Sequence, residues 1–219
     1  MKAAIFDMDG LLINSEPLWD EVDTVILKKR GYSPSREIFK QRLGIGEKAT
    51  MDLYKKTFNI PDNTSKLISE RQELFSELFD KNPQFMPGAV ELIKFLASKK
   101  LNLGIATGGH IEKRVKKILG YAGLEKYFNS ITTSHEVSKG KPAPDIFLLE
   151  ANKLKVDPID CLVFEDAPGG VEAGKNALMN VIGVNANKQI QEKLKEKNAD
   201  NVFASLVDVT PTILATFHI

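Results

Sequence analysis

Cysteine is all but absent from this chain of 219 residues, where Cys161 stands alone. A single thiol excludes an intramolecular disulfide and a multi-cysteine zinc cluster. Its place in the apolar run Cys161-Leu162-Val163-Phe164 marks it as buried. Long apolar runs are missing too. No stretch reaches the ~18 consecutive apolar residues that would span a bilayer. Ala3-Ala4-Ile5-Phe6 meets Asp7 too soon to form the core of a secretion signal, so the cytoplasm is the expected location. Charge of one sign is also lacking. The 30 Lys and Arg balance 29 Asp and Glu to +1, and no global field favours nucleic acid or an anionic membrane as a partner. Histidine is sparse enough to take singly. His135 reads as a loop residue, His218 as part of a fraying terminus, and His110 as the solvated start of a helix, ahead of a ligand contact beside Thr107-Gly108-Gly109.

What is present is an ordinary globular composition, 42% hydrophobic and 27% charged, which sets aside disordered and fibrous classes. The runs 3–6, 101–106, 161–164 and 181–184 predict buried strands, with 130–133 a weaker one. Helical patterns separate them. Leu92, Ile93 and Leu96 form a stripe between Gly88 and Lys99, and Phe147, Leu148 and Ala151 point inward from a helix over 144–153. The charged run 188–197 is a solvated helix face. This alternation predicts an α/β fold, a Rossmann-like parallel sheet with helices on both faces. Residues 15–82 break it, with helical patterns at 17–29, 47–58 and 65–80 and no strand. They predict an inserted all-α domain between residues 1–14 and 83–219 of the sheet domain.

Chemistry-bearing residues gather where predicted strands end, the edge at which open parallel sheets bind ligands. Asp7-Met8-Asp9-Gly10 follows the first strand. A turn at Gly10 would let both carboxylates reach one ligand. A plain surface turn is the competing reading. A calcium loop is excluded, because Leu11 stands where a third oxygen ligand belongs and Leu18 where the glutamate belongs. Ala106-Thr107-Gly108-Gly109 ends the second strand with a hydroxyl and glycine N–H groups suited to phosphate oxygens, or simply turns into the next helix. Lys139 and Lys141 precede the turn Pro142-Ala143-Pro144. Pro142 holds Lys141 extended, and either lysine could instead be solvated. Phe164-Glu165-Asp166-Ala167-Pro168 repeats the acid pattern of the first strand. Acids so placed are costly to desolvate unless paired or metal-bound, and such an oxygen set suits magnesium; helix capping is the competing reading. Each motif alone is weak. Acid pair, hydroxyl, lysine and acid pair, in order and each at or near its own strand end, form a pattern.

With these motifs the chain resembles the haloacid dehalogenase superfamily of phosphatases over essentially its whole length. The likeness is nearest to the beta-phosphoglucomutase-like group, on Phe6-Asp7-Met8-Asp9-Gly10-Leu11-Leu12, Ser15-Glu16-Pro17-Leu18-Trp19 and Leu162-Val163-Phe164-Glu165-Asp166-Ala167-Pro168. The resemblance implies a Mg2+-dependent phosphatase that hydrolyses a small phosphorylated metabolite (a sugar, polyol or nucleoside phosphate) through an aspartyl-phosphate, with the helical segment as a substrate-selecting cap. Asp7 would be the nucleophile and a metal ligand. Asp9 would be the general acid and base, its carbonyl also on the metal. Thr107 and the Gly108 amide would hold the phosphoryl oxygens, and Lys141 would bridge phosphate and nucleophile. Asp166 with Glu165 would complete the metal site. The family's Lys-Pro step favours Lys141 over Lys139.

Asp9 also separates reaction classes, since the family's dehalogenases and phosphonate-cleaving members lack an acid there. Glu16 and the loop Gly44-Ile45-Gly46-Glu47 are the expected cap contacts, unless Gly44 and Gly46 merely link two helices, and Trp19 reads as a packed aromatic ahead of a substrate contact. Two rivals use the same residues. A sugar phosphomutase of the beta-phosphoglucomutase type would carry His in place of Trp19 and Arg near Glu47, for which Lys48 is a partial substitute. A non-enzymatic phosphate or metal sensor would have lost a motif residue, and none is lost. A monomer is the expected state.

Overall fold

The computed structural model describes residues 1–42, 47–79 and 83–219. The chain forms two compact units, Met1–Asn14 with Gln84–Ile219, and Ser15–Pro83. Numbered in chain order, the first unit holds strands β1 (Ala3–Phe6), β2 (Asn102–Thr107), β3 (Ser130–Thr133), β4 (Cys161–Glu165), β5 (Asn180–Val184) and β6 (Asn201–Phe203). They make one six-stranded parallel sheet in the order β3-β2-β1-β4-β5-β6. β1 is central and wholly buried, which is why it reads as a continuous apolar run rather than an alternating one. The chain leaves β1 toward β2 and β3, then crosses to β4 on the other side, so the strand order reverses at β1. Register fixes what lies at that switch point. Phe6 sits opposite Ile105 on one side and Phe164 on the other, so Asp7, Ala106-Thr107 and Glu165-Asp166 emerge together.

Helices α5 (Ala89–Ser98), α6 (Glu112–Tyr121), α7 (Asp145–Leu154), α8 (Pro168–Asn176), α9 (Lys188–Glu196) and α10 (Pro211–Ala215) complete this unit. On α7 the buried stripe differs from the sequence expectation. Ile146, Phe147, Ala151 and Leu154 face the core, whereas Leu148 is 40% exposed. Glu150, fully buried, takes an inner place instead. No helix among the described residues is long and apolar enough to cross a membrane.

The second unit is α1 (Glu16–Lys28), α2 (Arg36–Arg42), α3 (Glu47–Phe58) and α4 (Thr64–Phe79). One carboxylate ties all four helices together. Asp23, at 0% exposure, accepts from Arg71 Nε at 2.6 Å and from the Tyr54 hydroxyl at 2.8 Å, and lies 3.2 Å from Arg42 Nε. A charge this deeply buried is tolerable because it is paired and hydrogen-bonded on several sides. Arg71 also lies over the Trp19 ring at 3.9 Å, and Trp19 stacks on Phe75 at 3.7 Å, a packed aromatic as its sequence position suggested. Of the expected substrate contacts in this unit, Glu16 opens α1 and Gly44 lies outside the described residues. Glu47 opens α3 and accepts from Gln72 Nε2 at 2.9 Å.

Candidate active site

Asp7 is the first residue past β1, held there by its N–H donating to the Phe164 carbonyl at 3.0 Å. The next residues coil tightly. Gly10, with φ +82°, donates to the Ile13 carbonyl at 2.9 Å, and the Leu12 and Ile13 N–H groups both return to the Met8 carbonyl. Met8, Leu11, Leu12 and Ile13 are buried by this turn, which leaves Asp9 at the rim. On the neighbouring strand, Thr107 ends β2, and its hydroxyl accepts from the Gly109 N–H at 3.3 Å. On the other side, Glu165 ends β4 and Asp166 follows.

Lys141 arrives from the segment between β3 and α7. That segment is braced by the Thr133–Glu136 capping box, by Ser134 Oγ donating to the Gly108 carbonyl at 2.9 Å, and by Lys153 bound to Glu136 at 2.6 Å. Lys141 Nζ donates to Asp7 Oδ1 at 2.5 Å, to Glu165 Oε1 at 2.6 Å and to the Ala106 carbonyl at 3.2 Å. It also sits 4.8 Å from the centre of the Phe147 ring. Lys139, the competitor, is exposed. Glu165 is occupied at both ends, since its Oε2 accepts from the Ala167 N–H at 2.8 Å.

Asp7, Glu165 and Asp166 each place a carboxylate oxygen within 4.8 Å of the others. With Asp9 close by, four carboxylates face one ammonium, and the imbalance shows in their proton affinities. Burial pushes the Asp7 carboxyl from its ordinary 3.8 up to about 7 against the pull of Lys141, with Glu165 and Asp9 adding to the rise. Burial also raises Asp166 well above its usual range, with Glu165 and Asp7 contributing. Burial works against the Lys141 ammonium, but Asp7 and Glu165 outweigh it and hold its pKa above the ordinary lysine value. The Asp166 carboxylate accepts no hydrogen bond among the described residues. Surplus negative charge, oxygen-only donors and a half-buried acid lacking a donor fit a hard divalent cation.

Two features were not legible in advance. His110, expected to be solvated, is buried, and its Nε2 lies 3.1 Å from each Asp9 carboxyl oxygen. Its position directly after the Thr107–Gly109 loop was the available signal, but its partner comes from a distant part of the chain. Glycines supply room for the acids: a Cβ at Gly10, Gly109 or Gly170 would fall within 2.7 Å of Asp166, Asp9 or Glu165 respectively.

The chain is similar to known phosphatases over most of its length. A phosphorylated carbohydrates phosphatase of Thermotoga maritima is 33% identical over 181 residues, covering 81% of this chain and 82% of the relative. The (DL)-glycerol-3-phosphatase 2 of Arabidopsis thaliana is 35% identical over 214 residues, 94% of this chain and 88% of the relative. A solved beta-phosphoglucomutase from Clostridium difficile superposes with a TM-score of 0.79, covering 100% of this chain and 97% of that one, at 22% identity a likeness of fold. The sequence profile of the haloacid dehalogenase-like hydrolases matches residues 1–177, and the chain belongs to that family of enzymes.

Proposed function

We propose that this enzyme is a magnesium-dependent phosphatase of a small sugar or polyol phosphate, acting through an aspartyl-phosphate on Asp7. The observation that carries the proposal is the convergence of Asp7, Glu165 and Asp166, at the ends of the adjacent parallel strands β1 and β4, with Lys141 from the segment after β3. The substrate class follows the relatives named for phosphorylated carbohydrates and glycerol 3-phosphate.

A divalent cation held by Asp7 and Asp166, with the Asp9 carbonyl, would screen carboxylate from phosphate dianion and keep Asp7 ionised. Lys141, fixed by Glu165, holds positive charge beside Asp7 and the incoming phosphoryl oxygens. Thr107 and the Gly108 N–H bind those oxygens and orient phosphorus. Asp7 then attacks in line. Its oxygen bonds to phosphorus as the ester oxygen leaves with the proton of Asp9. In the second half Asp9 takes a proton from water, whose oxygen attacks the aspartyl-phosphate. Inorganic phosphate departs and the Asp7 carboxylate is restored. We assign substrate choice to the helical unit, through Glu16, Gly44 and Glu47.

Hydrolysis is favoured over a mutase reaction by Trp19, which packs on Phe75 and Arg71 where a mutase of this group would carry His. A bisphosphate needs a cation for its distal phosphate, and the buried Arg42 and Arg71 are engaged by Asp23.

The test is phosphate release from a metabolite panel, with Mg2+ and with chelator. Release should depend on Mg2+, and Asp7→Asn should lower turnover by about 10⁴-fold or more while leaving the fold intact. Substantial residual activity in Asp7→Asn would reject the nucleophile assignment. Asp9→Asn should cost about 10²–10⁴-fold with alkyl phosphates and far less with an aryl phosphate, whose leaving group needs no acid.

A further inference from the structure

We infer that His110 is the positioning residue for Asp9, holding its carboxyl in one orientation through both halves of the reaction. The inference rests on the phosphatase reading above and extends it to a residue outside the sequence motifs. His110 Nε2 is 3.1 Å from both Oδ1 and Oδ2 of Asp9. A carboxylate can only accept hydrogen bonds, so against ionised Asp9 the Nε2 of the ring is a donor. When Asp9 carries the catalytic proton on one oxygen, the other still accepts from the same N–H. A single contact therefore serves the acid and the base.

Two further observations support this role. The His110 side chain is 1% exposed, so its ring is fixed by packing, while Asp9 remains 30% exposed and open to a ligand. Asp9 also lies over the bare Cα of Gly109, where a Cβ would come within 2.7 Å of Oδ2. Ring and glycine together leave the short Asp9 side chain one seat. The main chain enforces the coupling, because His110 follows the Thr107–Gly109 loop directly. The loop proposed to bind phosphate thus also orients the acid.

The experiment measures kcat/KM for glycerol 3-phosphate and for 4-nitrophenyl phosphate, which reports the chemistry only through loss of the leaving group. His110→Phe fills the space without a donor, His110→Asn places its amide short of Asp9, and His110→Gln restores an N–H near the position of Nε2. Phe and Asn should each lower kcat/KM about 10–100-fold with glycerol 3-phosphate, the cost of a misplaced catalytic group. With the aryl ester the loss should stay under about 3-fold. Gln should recover most of the alkyl activity, and His110→Phe should cost nothing further in an Asp9→Asn background. Asn and Gln keep the test decisive if Phe fails to fold. An unchanged alkyl-to-aryl ratio, Gln no better than Asn, or additive losses with Asp9→Asn would each overturn the inference and leave the phosphatase reading standing. If Asp9→Asn itself failed to separate the two esters, the acid assignment would fall and the inference with it.

Discussion

At the scale of single residues, the site is built by laying carboxylates on glycines. A Cβ on Gly170 would stand 1.7 Å from Glu165 Oε1, and one on Gly10 would stand 2.3 Å from Asp166 Oδ2. Gly10 has a second reason to be glycine, its φ of +82°. Gly170 gives the sharper prediction, because as a helical residue its replacement by Ala would by itself help α8 by about 1 kcal/mol. Glu165 must then move, and Lys141 loses the carboxylate that holds it at 2.6 Å. Gly170→Ala should therefore lower kcat/KM by about 10²-fold, as expected for a displaced catalytic group. Steady-state assays beside a melting curve check this; full activity would mean that Glu165 does not position Lys141. These glycines were legible in the sequence as turn formers and not as room for an acid. The partner of Gly10 lies just past β4 and that of Gly109 just past β1, and no local pattern reports a neighbour across a sheet. His110 was misread for the same reason.

At the scale of elements, strands that bury both faces were the easiest to read. β1, β2, β4 and β5 are apolar runs bounded by polar residues, and their sequence bounds fall within a residue or so of the observed ones. β6 is three half-buried residues, too short to show a pattern. α8 carries Gly169, Gly170 and Gly174, poor helix formers that instead allow close approach; a Cβ on Gly174 would meet Val181 at 2.7 Å. The α7 stripe was misplaced because a glutamate is not expected inside. Glu150 accepts from Thr132 Oγ1 at 2.5 Å and Ser130 Oγ at 3.1 Å, while its Oε1 has no hydrogen-bond partner among the described residues and rests on Gly104. Burial lifts its carboxyl from 4.5 to about 7 against those hydroxyls and the Lys153 charge, with Glu136 adding to the rise.

The folded chain thus holds this proton more tightly than the unfolded chain does. Its contribution to stability is full below about 4.5, falls as pH rises, and levels off above about 7. The difference is about 3 kcal/mol. Glu150→Gln mimics the protonated form, its amide donating to the two hydroxyls. It should melt about 5–10 °C above the wild type at pH 8, and much closer to it at pH 5. Parallel melting curves that keep the same gap at both pH values would show that Glu150 does not titrate with folding.

At the scale of the whole molecule, the parallel sheet has a consequence for stability. Because β1 and β4 run the same way side by side, Asp7 and Asp166 leave the sheet at one edge, and Asp9 follows within the same turn. Burying these carboxylates beside one another opposes folding, and the raised affinities of Asp7 and Asp166 for protons are its signature, burial first and mutual repulsion second. A ligand that binds the folded chain alone stabilises it by mass action, about 2.7 kcal/mol at a hundredfold excess over Kd. Saturating Mg2+ should accordingly raise the melting temperature by about 5–10 °C over the chelated protein. Asp166→Asn removes a ligand and a half-buried charge at once, so its two effects have opposite signs. Without metal it should melt at or above the wild type, since a neutral amide escapes the repulsion. With metal it should gain little, and the order of the two proteins should invert. Calorimetry of both proteins across a Mg2+ titration separates these outcomes. A variant that kept the full metal-dependent shift would remove Asp166 from the cation site, and one destabilised without metal would show that its carboxylate is compensated by groups other than a cation.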